Sequence, residues 1–119
     1  MAKEMEFENV ESQEDFTLEN QERKIKVTGA KDIQDYLDDL FVTEEQFVIL
    51  TAPKAQHKVR YVQSRVHDDG IEVELGIEEA KTRLFYKMCS QEECCSIFHD
   101  FYQNKFIPNM EEYKPVLFL

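Results

Sequence analysis

A chain of 119 residues with 25 acidic and 14 basic side chains, for a net charge of −11, is long enough for one domain around one hydrophobic core. Hydrophobic residues make up 42% of it, enough apolar mass to fill that core, which excludes disorder of the whole chain. The sign of the charge argues against direct nucleic-acid binding, which draws its affinity from clustered Lys and Arg; no uninterrupted apolar run exceeds four residues, as in Phe47-Val48-Ile49-Leu50, far too short for a membrane span.

The N-terminus, Met1-Ala2-Lys3-Glu4-Met5-Glu6, has no apolar core of a signal peptide and carries acid where a transit peptide carries base. The three cysteines, an odd number with two adjacent, suit a reducing compartment. A cytoplasmic location is expected. The first 20 residues hold seven acids (Glu4, Glu6, Glu8, Glu11, Glu14, Asp15, Glu19) and one base, Lys3. Residues 1–23 are therefore read as an acidic leader, either partly disordered or, from the alternation of Met5 and Phe7 with Glu6 and Glu8, an edge strand. Residues 24–119 are read as a single domain.

Lys24-Ile25-Lys26-Val27 is a short strand candidate, followed by Thr28-Gly29, which can cap a helix. Ile33, Tyr36, Leu37, Leu40 and Phe41 then fall on one helical stripe, with Asp32, Asp35, Asp38 and Asp39 on the other sides. Aspartate is a mediocre former of helix interiors, so four on one helix demand packing or a use. Gln46 to Thr51 reads as a strand covered on both faces, broken by Pro53 and the polar stretch to Lys58. Lys58–Val66 and Ile71–Ile77 form a hairpin around Asp69-Gly70, with Ile71, Val73, Leu75 and Ile77 on one face of the second arm and Glu72 and Glu74 on the other. Arg60 and Arg65 are available to pair with these carboxylates across the strands.

Thr82 to Met88 alternates as a further strand, with Leu84, Tyr86 and Met88 opposite Arg83, Phe85 and Lys87. Ser90-Gln91-Glu92-Glu93 matches a capping box and opens a second helix whose stripe is Cys94, Ile97, Phe98, Phe101 and Tyr102. Pro108 bars its continuation, and the apolar tail Tyr113 to Leu119 is expected to dock back on the domain. The class is α+β: a mainly antiparallel sheet of four or five strands with two amphipathic helices packed on one face.

Catalytic chemistry finds no constellation. Cys94 and Cys95 point about 100° apart on a helix, leaving only Cys95 and His99 on a common face, two ligands where zinc takes three or four. Glu92 and Glu93 oppose a thiolate there, His57 and His67 sit in polar turns, and three glycines make no phosphate-cradling loop. No enzyme activity, metal or cofactor is expected.

The order of the Asp32 to Phe41 helix, the apolar strand Phe47–Leu50, strands bearing Tyr61-Val62-Gln63 and Ile71-Glu72-Val73-Glu74, and a closing strand and helix from Arg83 to Gln103 resembles the small α+β immunity proteins of bacterial polymorphic-toxin systems. The resemblance covers about residues 30 to 105 and implies a cytoplasmic inhibitor that binds a cognate toxin domain without catalysis of its own. The residues themselves point to an acidic surface suited to a basic partner such as a nuclease, with Asp35, Asp38, Asp39, Asp68, Asp69, Glu72 and Glu74 as contact candidates. The alternative is a structural or assembly subunit, of phage or mobile-element type, that self-associates through the apolar tail or a sheet edge.

Overall fold

The computed structural model describes residues 15–43 and 46–117. Strands β1 (Thr17–Asn20) and β2 (Lys24–Lys26) lead into helix α1 (Ala30–Val42). Four longer strands follow, β3 (Phe47–Gln56), β4 (Val59–His67), β5 (Gly70–Ile77) and β6 (Arg83–Cys89). Helix α2 (Gln91–Tyr102), a short 3-10 turn (Met110–Glu112) and β7 (Lys114–Pro115) are the last described elements. All pairings are antiparallel, in the order β2-β1-β3-β4-β5-β6-β7. The α+β class and the two helices are as expected. Among the described residues the strands number seven because two segments lacking a strong apolar pattern, Thr17–Asn20 and Lys114–Pro115, also pair.

β1 is not an edge. It lies between β2 and β3, Leu18 is fully buried, and Phe16 stacks edge-on against Phe101 and Tyr102 of α2 with ring centroids 5.8 and 5.2 Å apart. The packed unit therefore reaches upstream of residue 24. The alternation at Met5 to Glu8 lies outside the described residues.

The strands bury their alternate side chains on one side only. Leu18, Val48, Leu50, Val62, Val73 and Leu75 are fully or almost fully enclosed, and above them sit Ile33, Leu37 and Leu40 of α1 and Cys94, Phe98 and Phe101 of α2. The helices also touch each other: Gln34 of α1 donates to Cys95 Sγ at 3.7 Å and accepts from His99 Nε2 at 2.8 Å. Both helices thus share one side of the sheet, and no described element covers the other. β3 is interior to the sheet as expected, but Phe47 and Ile49 face the uncovered side instead of a second layer.

β3 also runs through Pro53 to Gln56, contrary to the expected break, because its register against β4 shifts between Thr51 and Gln56; such an irregularity tolerates a residue without an N–H. The hairpin closes on His57 and Lys58, both at positive φ (50° and 73°), as a two-residue type I′ connection requires. The next hairpin turns on Asp68 and Asp69, with Gly70, at φ 144°, as the first residue of β5.

The helix ends differ from expectation in detail. Gly29 caps α1 without a side chain, so Asp32 reaches back to accept from the Thr28 N–H and hydroxyl, both at 2.9 Å, which holds its carboxyl below the usual range. Ser90 Oγ accepts from Glu93 N at 3.1 Å, the first half of a capping box; the Glu93 carboxylate turns instead to Lys87. α2 ends in a Schellman arrangement: Asn104, at φ 62°, donates to Phe101 O and Lys105 to Asp100 O, so the helix stops well before Pro108.

The tail does dock. Lys87, whose side chain is 12% exposed, bonds both Glu93 and Glu112 and lies 5.0 Å from the Tyr113 ring centre. Burial works against its ammonium, but the hydrogen bonds to Glu112 and Glu93 outweigh it and raise the pKa. Beyond the buried Tyr113, β7 pairs with Phe85 and Tyr86, and Val116 N donates to Leu84 O at 2.8 Å. Leu117 is exposed.

Candidate functional site

The strand registers place the uncovered face row by row. One row runs Lys24, Glu19, Ile49, Gln63, Glu74, Tyr86, Lys114; beside it run Lys26, Thr17, Thr51, Tyr61, Gly76, Leu84 on one flank and Phe47, Arg65, Glu72, Met88 on the other. Ile49, Tyr61, Leu84 and Tyr86 are half-buried, and Met88 is exposed. Aromatic and apolar groups therefore interleave with charges of both signs, around the carboxylates of Glu72 and Glu74.

The centre of this face is fixed. Gly76 lies under Tyr61, and a Cβ there would overlap the tyrosine ring, so the ring lies directly over the glycine. Its hydroxyl reaches Glu74 Oε1 at 3.4 Å. Burial, and then the Glu74 carboxylate, push the Tyr61 pKa up to about 12. The Glu74 carboxyl is in turn raised, first by burial and then by the neighbouring charge of Glu72, with Tyr61 and Arg65 pulling the other way. With its amide turned to satisfy both neighbours, Gln63 donates to Glu74 at 3.3 Å and accepts from Arg65 at 3.2 Å. Arg65 stands opposite Glu72, but Glu72 instead contacts His67 Nε2 at 2.6 Å, while Arg60 binds Glu78 and the Ala52 carbonyl. The expected cross-strand ion pairs of Arg60 and Arg65 with Glu72 and Glu74 are thus replaced by these contacts. Glu72, Glu74, Tyr86, Pro115, Val116 and Leu117 line a shallow cleft where the sheet face meets the tail.

The seven acids singled out from sequence fall in three places. Asp35, Asp38 and Asp39 are exposed on α1, on the helical side. Asp68 and Asp69 are exposed at the tip of the β4–β5 hairpin. Glu72 and Glu74 occupy the uncovered face, together with Tyr61, Gln63 and Tyr86, which sequence reasoning did not select. The period-two alternation of β5 was enough to put Glu72 and Glu74 on one face; the partners across the strands depend on register. Acid is concentrated on the other side of the molecule, where α1 and α2 carry Asp32, Asp35, Asp38, Asp39, Glu92, Glu93 and Asp100 with Lys31 and His99 as the only basic groups.

The thiol and imidazole groups sit in packing environments. Cys94 is enclosed and its Sγ lies 3.4 Å from Ser64 Oγ; Ser64 donates in turn to the Glu72 carbonyl at 2.9 Å. Cys95 and His99 occupy the seam between the helices, bridged by Gln34. Among the described residues no cluster of three or more His, Cys, Asp or Glu could hold a metal, and no helix is long and apolar enough to cross a membrane. The chain matches no protein-family model, no curated protein and no solved structure.

Proposed function

We propose that this chain is a non-catalytic protein-binding protein, an acidic inhibitor of the immunity type, whose uncovered sheet face docks on a basic surface of a toxin or nuclease domain. One observation carries the reading: a seven-stranded sheet covered by helices on one side presents, on the other, a pre-set centre of Tyr61, Tyr86, Gln63, Glu72 and Glu74 ringed by Phe47, Ile49, Leu84 and Met88. Tyrosine, phenylalanine, methionine and arginine are the residues that protein interfaces favour, and a tyrosine held before binding loses little freedom on docking. In this reading Glu72 and Glu74 receive lysine or arginine side chains of the partner. The acidic helical layer adds a long-range field that speeds approach of a positively charged partner.

The assembly alternative draws support from Leu117, the last described residue of the apolar tail, which is 77% exposed. The sheet edges lend it less: β2 flanks its one inward residue with Lys24 and Lys26, and β7 is two residues long and contains Pro115, both devices that blunt strand-to-strand pairing.

The test compares capture of basic proteins from the native host by the wild-type chain, by Glu72→Lys/Glu74→Lys, and by Asp35→Lys/Asp38→Lys/Asp39→Lys, at low and high salt, with bound proteins identified by mass spectrometry. Loss of a basic partner only with the sheet-face variant, and a slower salt-sensitive association with the helix variant, is the expected pattern. Equal capture by all three removes the sheet face from consideration. Self-association abolished by deleting residues 117–119, which spares buried Tyr113, would favour the assembly reading.

A further inference from the structure

Two thiols meet where β6 hands over to α2. Cys89 is the last residue of β6 and stands opposite Ile71, on the side of the sheet that carries the helices. Ser90 caps α2, and Cys94 N returns to Ser90 O at 3.0 Å, so Cys94 stands one turn inside the helix. These are the positions before the cap and four beyond it, whose side chains pack against each other across the first turn of many helices. Here both are cysteine, Cys94 within the buried core and Cys89 packed against it. Cys94 is fully enclosed, whereas Cys89 is half-buried and open to small solutes. Cys95 is directed elsewhere, toward Gln34 of α1.

We propose that Cys89 and Cys94 are a reversible dithiol–disulfide pair, with Cys89 as the thiol that meets a hydroperoxide and Cys94 as the thiol that resolves it. The Cys89 thiolate attacks one peroxide oxygen; an S–O bond forms, the O–O bond breaks, and the departing hydroxide takes a proton to leave as water. Cys94 sulfur then attacks the Cys89 sulfenic sulfur, forming the S–S bond and breaking S–O, and the Cys94 proton leaves with the hydroxide as a second water. The dithiol supplies the two electrons that reduce the peroxide, and a small thiol reverses the step by exchange. The neighbouring Cys94 holds the Cys89 thiol below its usual pKa although burial opposes this, while Cys89 and burial push the Cys94 thiol up and keep it protonated.

The experiment treats the full chain with hydrogen peroxide, alkylates remaining thiols under denaturing conditions and cleaves after glutamate. Glu92 and Glu93 lie between the two cysteines, so their peptides separate unless a disulfide joins them. Joined peptides that part on reduction, persist in Cys95→Ser and vanish in Cys89→Ser are expected. Cys89 recovered as sulfinic acid beside an alkylated Cys94, or a link that disappears in Cys95→Ser, overturns the proposal.

Discussion

The two sides of this sheet are built to opposite rules. Under the helices, side chains are enclosed, uncharged and packed ring against ring, as in Phe101 between Phe16 and Phe106, and the acid sits outside on the solvent face of the helices. On the other side the strands mix half-buried tyrosine and glutamate with exposed arginine and methionine, and order comes from hydrogen bonds and from one glycine. The first side holds the fold together; the second can be altered without dismantling it, which is the property a contact surface needs.

That contrast makes quantitative predictions. Phe98→Ala, on the helical side, should cost about 3 to 5 kcal/mol by lost burial and a residual cavity, whereas Ile49→Ala on the open face should cost about 1 kcal/mol, since only part of that side chain is removed from water. Denaturant titration measures both, and similar costs would show that the open face is as much core as the other. Gly76→Ala should cost about 1 to 3 kcal/mol by displacing the Tyr61 ring, and much less in a Tyr61→Ala background; equal costs in the two backgrounds would mean the ring does not depend on the glycine. Ser90→Ala should remove about 1 kcal/mol through the loss of its cap on α2.

The smallest effect has the opposite sign. Glu74 has a pKa raised in the folded state, so folding takes up a proton between the unfolded and folded values; its contribution to stability is greatest below the ordinary glutamate range and falls as pH rises through the folded pKa. Glu74→Gln should therefore stabilise the protein slightly at neutral pH, with the gain vanishing below the ordinary glutamate range, while weakening partner capture. Thermal melts at the two pH values check the sign. A loss of stability at neutral pH would mean that the carboxylate is favourably placed for the fold itself.

Much of the architecture was legible because the signals were local. The stripe of Ile33, Tyr36, Leu37 and Leu40 defined α1, the alternation from Ile71 to Ile77 defined β5, and Ser90 marked the start of α2. β1 was obscured by composition: Phe16 and Leu18 alternate with Thr17 and Glu19, yet the surrounding acid reads as a leader. Nothing in His57-Lys58 announces two consecutive residues at positive φ, so Pro53 looked like the end of β3 when it is the site of a register shift. For the candidate site, residue pattern alone assigned Glu72 and Glu74 to one face. Tyr61 over Gly76, and the separation of Asp35, Asp38 and Asp39 from those glutamates by the thickness of the sheet, follow from cross-strand register and helix placement, which are tertiary facts.

The bridge that Gln34 makes between the helices fixes more than their spacing. Its amide nitrogen points to Asp38 and Cys95, so its oxygen is the atom left to accept from His99, and the neutral imidazole must carry its proton on Nε2. A ring locked in one tautomer has a distinct nitrogen resonance and a proton that exchanges only when the contact opens. His99 is therefore a spectroscopic gauge of whether α1 and α2 stay together, readable in solution without any label beyond isotopic nitrogen.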